Sequence, residues 1–264
     1  MDRADPDRPL LAWQQDGVLR LTLNRPRARN ALSLALMSEL QAALENMGPD
    51  VRAVVVAAEG PVFSSGHDLK EMNAHRGDPD QGKAAFAALF AQCSSLMQTI
   101  LRCPVPVIAE VGGIATAAGC QLVASCDLAV AASTARFATP GVDIGLFCST
   151  PMVALSRNIS RKAAMEMLLT GEMIDAEKAK SIGLINRVVA PEILEAESMA
   201  LAQTIAGKPR ATIRTGKEAF YRQLEMPLGE AYAYVSQVMT ENMLGLEAKE
   251  GICAFLEKRE PKWP

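Results

Sequence analysis

A chain of 264 residues is long enough to bury one full-sized core, so one large domain, or one domain with an appendage, is expected. No apolar run is long and unbroken enough to span a bilayer, and the net charge of −3 gives no general reason to bind nucleic acid or an anionic membrane. The six cysteines form no C-x-x-C pair and only two histidines are present, so buried, reduced thiols are favoured over a metal site. We therefore expect an intracellular protein, in the cytoplasm or, if a presequence has been removed, in the mitochondrial matrix.

The N-terminal part of the chain predicts a β-hairpin. Residues 1–9 are expected to form a mobile leader, and residues 10–13 and 17–24 to form the two strands. In the second strand three leucines alternate with Arg20 and Thr22, which is typical of a strand with one face buried.

The next segment predicts an α/β crossover unit. Ser33 can cap a helix that runs to about Met47, where a Gly-Pro pair stops it. The nearly continuous apolar run at 51–58 predicts a strand with both faces covered. Three arginines in the intervening segment 24–33 could bind a phosphate or could simply be solvated charges.

The middle of the chain alternates between loops and regular elements. After a loop at 59–70, the polar segment 73–82 is expected to be exposed and is a candidate lid. Apolar side chains at helical spacing predict a second amphipathic helix over residues 82–101. A strand at 127–132 and a loop-rich segment at 136–147 are expected further on.

The remainder of the chain is predicted to be mainly helical. The expected helices span 151–159, 161–169, 175–181, 191–206, 209–224, 228–244 and 247–257. We divide the chain into an α/β core at 8–200 and a helical C-terminal region at 201–264, whose apolar faces are expected to dock on the core or on a neighbouring subunit.

The stretch at 104–126 is the first candidate for chemistry. It reads PVPVIAEVGGIATAAGCQLVASC, and it predicts a strand at 105–111, a glycine turn and a helix from about Thr116. Such a turn can aim backbone N–H groups at a negatively charged atom, although it also suits a crossover packed closely by small residues. Its glycine spacing is not G-x-G-x-x-G, which argues against a dinucleotide site.

Five segments in order resemble the crotonase (enoyl-CoA hydratase/isomerase) superfamily over nearly the whole chain. They are LNRPRARNALS at 23–33, VFSSGHDLKEM at 62–72, PVPVIAEVGGIATAAGCQLVASCDLAVA at 104–131, TGEMIDAEKAKSIGLINRVV at 170–189 and EGICAFLEKREP at 250–261. A further segment, FATPGVDIGLFCSTP at 137–151, is typical of one subgroup of that superfamily. The resemblance implies an α/β fold, a crotonase-like spiral of ββα units with a helical C-terminal region, and a homotrimer or homohexamer.

The resemblance also implies an acyl-CoA thioester as substrate. In this superfamily, negative charge develops on the thioester oxygen and is stabilised by one backbone N–H group from each of two glycine-containing loops. The corresponding amides here are those of His67 and Ala118. No metal or redox cofactor is implied, and coenzyme A enters only as part of the substrate.

The acid–base residues of the superfamily do not match. The two glutamates used by hydratases correspond here to Gln121 and Gly141, and a carboxylate used by dienoyl-CoA isomerases corresponds to Ser149. All three positions are neutral, and a glutamine cannot accept a proton near neutral pH. A conventional hydratase mechanism is therefore expected to be impaired.

Other side chains remain as candidates beside these positions. The ring of His67 resembles a histidine of methylmalonyl-CoA decarboxylases that holds the acyl group, unless only its amide is used. Asp68 fits a structural role best. Asp143 is a catalytic candidate or a turn cap, and Cys148 is a weak donor, a nucleophile or a buried inert thiol.

The coenzyme A moiety is assigned by resemblance alone. Its adenine and phosphates are expected near Arg27, Ala28 and Lys70, with Lys258 contributed from the C-terminal helix, in the same chain or a neighbouring subunit. The full set of substrate-binding candidates is Arg27, Ala28, His67, Asp68, Leu69, Lys70, Ala118 and Lys258. An aromatic residue of the hydratases corresponds to Met239, so coenzyme A affinity is expected to differ.

Three functions follow from these residues. The first is an acyl-CoA enzyme of the enoyl-CoA hydratase/isomerase family that lacks the usual glutamates. The second is a non-catalytic acyl-CoA binding or regulatory protein, and the third is a decarboxylase-like enzyme.

Overall fold

The computed structural model describes residues 8–263, so most of the predicted leader at 1–9 lies outside the described residues. The strands are β1 (Leu10–Gln15), β2 (Val18–Leu23), β3 (Ala53–Ala58), β4 (Val62–Ser64), β5 (Val107–Val111), β6 (Ile114–Thr116), β7 (Leu128–Ala132), β8 (Arg136–Ala138), β9 (Ile174–Asp175) and β10 (Arg187–Val189). The helices are α1 (Leu34–Glu45), α2 (Leu69–Ala74), α3 (Lys83–Arg102), α4 (Ala118–Ser125), α5 (Ser149–Asn158), α6 (Arg161–Thr170), α7 (Ala176–Ser181), α8 (Leu194–Ala206), α9 (Arg210–Gln223), α10 (Leu228–Met243) and α11 (Leu246–Glu257). Short 3-10 helices span Pro26–Ala28, His75–Gly77, Pro140–Ile144 and Pro191–Ile193.

The strands form two sheets that are fed by a repeating unit. The larger sheet has the order β1-β2-β3-β5-β7-β10, and the smaller has the order β4-β6-β8-β9. In three successive turns of the spiral, the first strand joins the larger sheet, the second joins the smaller, and a helix follows. Neighbouring strands are parallel except for the pairs β1/β2 and β8/β9. The predicted spiral of ββα units is confirmed.

The larger sheet is covered on both faces, which explains the unbroken apolar run in β3. Val54 and Val56 face the main core with α1 and α3, whereas Ala53 and Val55 face a second core under α8. This alternation follows from the two-residue period of a strand.

The prediction of a half-buried second strand is wrong, because all six residues of β2 are buried. Arg20 points to the face covered by α8, where its guanidinium donates to both carboxylate oxygens of Glu110 at 2.6 Å. The Ser198 hydroxyl of α8 donates to the same carboxylate. The alternating pattern therefore predicted that Arg20 is exposed, although its charge is buried in an ion pair with Glu110.

Several short elements differ from the prediction. β4 and α2 lie within the predicted loop and polar segment, β6 replaces the predicted helix start at Thr116, and α4 begins at Ala118. A three-residue strand is too short to show a hydrophobic period, and α2 depends on its cap rather than on an apolar face. Most of segment 73–82 is exposed as expected, and its role as a lid stays a prediction.

Helix α3 is, within residues 8–263, the one helix long and apolar enough to cross a membrane by length and composition. Leu89, Cys93, Leu96, Met97 and Ile100 are buried along one face of it. That face packs against α1 and α4, so α3 is a helix of the protein core.

A buried polar cluster fastens α9 to the core. Lys217 of α9 donates to the carbonyl oxygens of Ile100 and Val105 at 3.0 Å and to Asp127 at 2.7 Å. Tyr221 donates to the other oxygen of Asp127 at 2.8 Å. Helices α10 and α11 pack mainly against α9 and each other. The proposed division of the chain at residue 200 stays a prediction.

Candidate functional site

The two glycine-containing loops contact each other directly. Gly66 lies in the first loop, between β4 and α2, and its φ of +87° is a conformation that favours glycine. A side-chain carbon placed on Gly66 would lie 3.1 Å from the amide nitrogen of Ala118 and 2.8 Å from the Cβ atom of Ala117. The amide of His67, which follows Gly66, therefore belongs to a loop that adjoins the amide of Ala118. Within residues 8–263, neither of these two N–H groups donates a hydrogen bond.

The second loop holds Ala118 at the start of a buried helix. Ala117 has φ 50° and ψ −121°, which is strained for a residue with a side chain and typically costs roughly 1–3 kcal/mol. Its N–H group donates to the carbonyl of Ala138 at 3.0 Å, which holds the strained turn against β8. All eight residues of α4 are buried. A Cβ atom on Gly119 would meet the Ser64 carbonyl at 2.3 Å, so only glycine lets α4 approach β4 this closely.

The first loop is anchored by Asn30, which the sequence analysis did not single out. Its side-chain nitrogen donates to the carbonyl oxygens of Glu59 and Val62 at 2.8 and 2.7 Å, and its side-chain oxygen accepts from the amide of Arg25 at 2.7 Å. Asn30 is fully buried and has φ 49°. Asparagine tolerates this left-handed conformation better than most residues, which is the signal that could have identified it.

Asp68 joins the first loop to the segment after β2. Its carboxylate caps α2 by accepting from the amides of Lys70 and Glu71, and it pairs with Arg25 at 3.0 Å. Partial burial raises the pKa of Asp68, but the hydrogen bonds from Arg25 and the Glu71 amide outweigh this effect and lower the pKa below its ordinary value. Leu32 also pairs with His67 as an isolated parallel bridge. The structure therefore places Asp68 as a link between two segments of the site.

The His67 side chain is buried without a hydrogen-bond partner. Both ring nitrogens are inaccessible and unpaired, and within residues 8–263 they are the only buried side-chain nitrogen or oxygen atoms in that state. The ring packs edge-on against Phe90 of α3, with the centroids 5.5 Å apart. Burial lowers the pKa of His67 by more than the nearby Leu32 backbone raises it, so the imidazole is neutral near pH 7. The contact with the Leu32 backbone falls short of hydrogen-bond geometry, so the ring nitrogens keep hydrogen-bonding capacity for a ligand.

Gln121, in α4, contacts the same face of α3 about one turn beyond Phe90, at Cys93. It is 4% exposed, and its side-chain oxygen accepts a weak bond from the Cys93 thiol at 3.8 Å. Burial raises the pKa of Cys93 to about 12, so that thiol stays protonated. Because Phe90 and Cys93 are three residues apart on one helix, His67 and Gln121 pack against neighbouring positions of α3.

Gly141 has no room for a side chain. A Cβ atom there would lie 2.8 Å from the Leu146 carbonyl and 2.9 Å from the Cys148 sulfur. Burial raises the pKa of the Cys148 thiol, which is 8% exposed. The thiol of Cys148 thus fills the space beside residue 141.

Ser149 and Asp143 are exposed and are not drawn into the buried part of the site. The Ser149 hydroxyl donates to the Phe147 carbonyl at 3.3 Å at the start of α5. Asp143 lies in the 3-10 helix Pro140–Ile144. Neither residue contacts the two glycine-containing loops through a hydrogen bond.

The coenzyme A candidates fall into two groups. Arg27 and Ala28 lie in the 3-10 helix after β2, and Leu69 and Lys70 begin α2; the Arg25–Asp68 ion pair joins these two segments. Lys258 instead ends α11 with φ 55°, and this helix packs on α9 and α10. Met239 is exposed on α10.

Comparison with known proteins settles the family. The family model described as enoyl-CoA hydratase/isomerase matches residues 14–264. The chain belongs to the enoyl-CoA hydratase/isomerase family. It is 50% identical over 252 residues to mouse enoyl-CoA hydratase domain-containing protein 3, mitochondrial, covering 95% of this chain and 82% of that protein.

Solved structures agree with this placement. The human enoyl-CoA hydratase domain-containing protein 3 superposes with a TM-score of 0.92 at 49% identity, covering 97% of this chain and 100% of that one. An enoyl-CoA hydratase from Mycobacterium smegmatis gives 0.93 at 53% identity, covering 97% and 99%. The subgroup that residues 137–151 indicated is that of enoyl-CoA hydratase domain-containing protein 3, and this similarity confirms it.

Within this enoyl-CoA hydratase/isomerase family member, the buried loops and the neighbouring side chains offer different chemistry. The loops offer two N–H donors without acceptors, close to the N-terminus of α4, where the helix dipole favours negative charge. The side chains at 121, 141 and 149 offer no carboxylate. The arrangement can stabilise an oxyanion, but those three positions cannot take up a proton.

Proposed function

We propose that this chain is an acyl-CoA thioester enzyme in which the amides of His67 and Ala118 stabilise an enolate. The contact between the two loops carries this proposal, because Gly66 leaves just enough space for the Ala118 N–H group beside the loop of His67. Both amides lack an acceptor among residues 8–263, as expected for donors kept for a ligand.

The amides would act on the thioester carbonyl oxygen. As negative charge develops there, each donor gains strength in surroundings from which water is largely excluded, and losing one such donor typically costs about 3–4 kcal/mol of barrier. The helix dipole of α4 adds to this stabilisation. The two backbone donors and the helix dipole do not depend on side-chain identity, so their stabilisation of the enolate would persist although the usual glutamates are absent.

Proton transfer is the weak part of the proposed mechanism. Gln121 can hold a water molecule by its amide but cannot deprotonate it, and Gly141 has no side chain. Each missing general acid or base typically lowers the rate by about 10²- to 10⁴-fold. We therefore infer that hydration of a simple enoyl thioester is slow.

A second candidate, a decarboxylase acting on a malonyl-type thioester, is favoured by the His67 ring. In that reaction the C–C bond to the carboxylate breaks, carbon dioxide leaves, and the electron pair forms the same enolate. No base is needed for this step. The unpaired imidazole nitrogens of His67 would then hydrogen-bond to the acyl group after the pocket opens, since they are inaccessible in this conformation.

Substrate binding and assembly extend the proposal. Arg27, Ala28, Leu69 and Lys70 would hold coenzyme A, with Lys258 reaching the site from a neighbouring subunit of a homotrimer or homohexamer. Leu244 and Phe255 of the C-terminal region are 83% and 82% exposed, which supports burial against another copy. No metal or redox cofactor takes part. The vertebrate relatives are named mitochondrial proteins, which supports the matrix over the cytoplasm for this chain.

The test uses the enone absorbance of crotonyl-CoA and the carbon dioxide released from methylmalonyl-CoA. Ala118→Pro removes the N–H group at the first helical position, where proline is tolerated, and Ala118→Gly retains it as a matched control. We expect Ala118→Pro to lower turnover by about 10²- to 10³-fold and Ala118→Gly to change it little. His67→Ala, which keeps the amide, should reduce decarboxylation selectively.

Each alternative has its own result. Bound crotonyl-CoA without turnover of either substrate would establish a non-catalytic acyl-CoA binder. Equal rates in Ala118→Pro and Ala118→Gly would disprove the role of the amide. Failure to bind any acyl-CoA would overturn the whole proposal.

A further inference from the structure

A concave groove lies between the C-terminal ends of α1 and α3, and we refer to it as the α1/α3 groove. It encloses about 320 Å³, within the range of small-molecule pockets. Met47, Pro49 and Pro104 offer accessible apolar surface to it, above a floor of buried side chains that includes Leu44 and Val105. Gly48, Pro49 and Pro104 shape its rim.

The groove is separate from the proposed catalytic site. His67 contacts α3 at Phe90, whereas the groove meets α3 at residues 99–102. Thr99, the nearest lining residue of α3, lies nine residues from Phe90, which corresponds to roughly 14 Å along a helix axis. A ligand in the α1/α3 groove would therefore not contact the two glycine-containing loops.

Two guanidinium groups line this groove without an acidic partner among residues 8–263. Arg102 donates to Gln98 of its own helix at 2.5 Å, and Arg210 donates to the Pro49 carbonyl; neither forms an ion pair. One carboxylate, that of Glu45, also lines the groove, but it accepts from the neutral groups of Gln41 at 2.7 Å and Thr99 at 3.4 Å. The charged side chains of the lining therefore leave one positive charge in excess.

We propose that the α1/α3 groove binds a small apolar carboxylate. The accessible apolar lining would accept the hydrocarbon body, and the guanidinium groups of Arg102 and Arg210 would hold the carboxylate, whose geometry matches a guanidinium fork. The volume suits a chain of several carbon atoms rather than a full acyl-CoA molecule. This site is independent of the proposed enzymatic function.

The experiment measures binding of radiolabelled octanoate to the full chain by equilibrium dialysis, with octanoyl-CoA present in excess to occupy an acyl-CoA site. We expect saturable binding that Arg102→Gln weakens at least threefold and the double variant Arg102→Gln/Arg210→Gln weakens at least tenfold. Arg161→Gln, which removes an exposed arginine at the start of α6, is the charge-matched control and should have no effect. Unlabelled acetate and 1-octanol should each compete at least tenfold less well than octanoate.

Other results would overturn the proposal. Displacement by octanoyl-CoA would place octanoate in an acyl-CoA site, and equal competition by 1-octanol would show that the carboxylate is not recognised. Absence of saturable binding would mean that the groove is closed, for example by a second copy of the chain. Because Arg102 is exposed and bonds only within its own helix, its single variant tests the site even if the Arg210 variant loosens α9.

Discussion

The two glycine-containing loops and the segment at 140–149 differ in how they are held. The loops are fixed by buried contacts, including three hydrogen bonds of Asn30 and the close approach of Gly119 to Ser64. The segment at 140–149 is a 3-10 helix followed by exposed residues, among them Leu146 and Phe147. Backbone donors can be positioned by packing alone, whereas proton transfer needs a particular side chain at a particular place. The proposed oxyanion site depends on packing of the first kind, and residues 121, 141 and 149 carry no carboxylate, so the two regions can be tested separately.

The largest effect expected is the loss of stability when Asn30, which anchors the first loop, is replaced. Asn30→Ala removes the partners of two carbonyl groups and one amide in a fully buried position, so we expect a loss of about 3–5 kcal/mol in the free energy of unfolding. Urea denaturation measures it. Asn46→Ala is the control, because Asn46 bonds only to Ala42 at the exposed end of α1 and should cost less than about 1 kcal/mol. Similar losses in both variants would show that the loop is not specially anchored.

The next effect concerns the contact between the loops. Gly66→Ala places a carbon 3.1 Å from the Ala118 amide nitrogen, so it should displace that donor and lower acyl-CoA turnover by about 10²-fold. Gly145→Ala introduces the same strain at φ +77°, but no atom lies within 4 Å of the added carbon. This control separates backbone strain from obstruction of the amide. If Gly145→Ala lowered turnover as strongly, general destabilisation would explain both results.

A smaller effect tests why residue 141 is glycine. Gly141→Glu should destabilise the fold by about 1–3 kcal/mol, because its side chain would overlap the Cys148 sulfur and the Leu146 carbonyl. Adding Cys148→Ala removes one of the two obstacles, so we expect a coupling of roughly 1 kcal/mol that partly restores stability. The unfolding free energies of the two single variants and the double variant provide the cycle. Purely additive losses would exclude the proposed contact.

The sequence predicted the parts of the molecule that depend on long patterns. The apolar runs of β3 and β5 and the amphipathic faces of α1 and α3 predicted those elements, since each shows its own period over a full element, whereas the spiral arrangement was implied by the resemblance to the superfamily. Arg20 was misjudged because its partners Glu110 and Ser198 are distant in the chain. Asn30, Phe90 and Cys93 were missed for the same reason, as their contacts exist only after the loops meet α3. The absence of carboxylates at 121 and 141 could be read directly, but the crowding of Gly141 by Cys148 could not.

The smallest effect is a pH dependence of the unfolding free energy that arises from His67. Burial lowers the pKa of His67 in the folded state, so between that value and about 6.5 the unfolded chain binds a proton that the folded chain does not. Stability should therefore be highest above about pH 6.5 and fall as the pH decreases, by at most about 1.4 kcal/mol per pH unit for this one group. His67→Gln should flatten this slope relative to the unmodified chain. Unfolding free energies between pH 7.5 and 5 measure the difference.

A bound malonyl-type thioester that pairs with the ring should reduce the slope in the unmodified chain, because its carboxylate favours the protonated imidazole. An identical slope in His67→Gln would show that the ring is already hydrated or paired in solution, and the observation that favours the decarboxylase would then be lost.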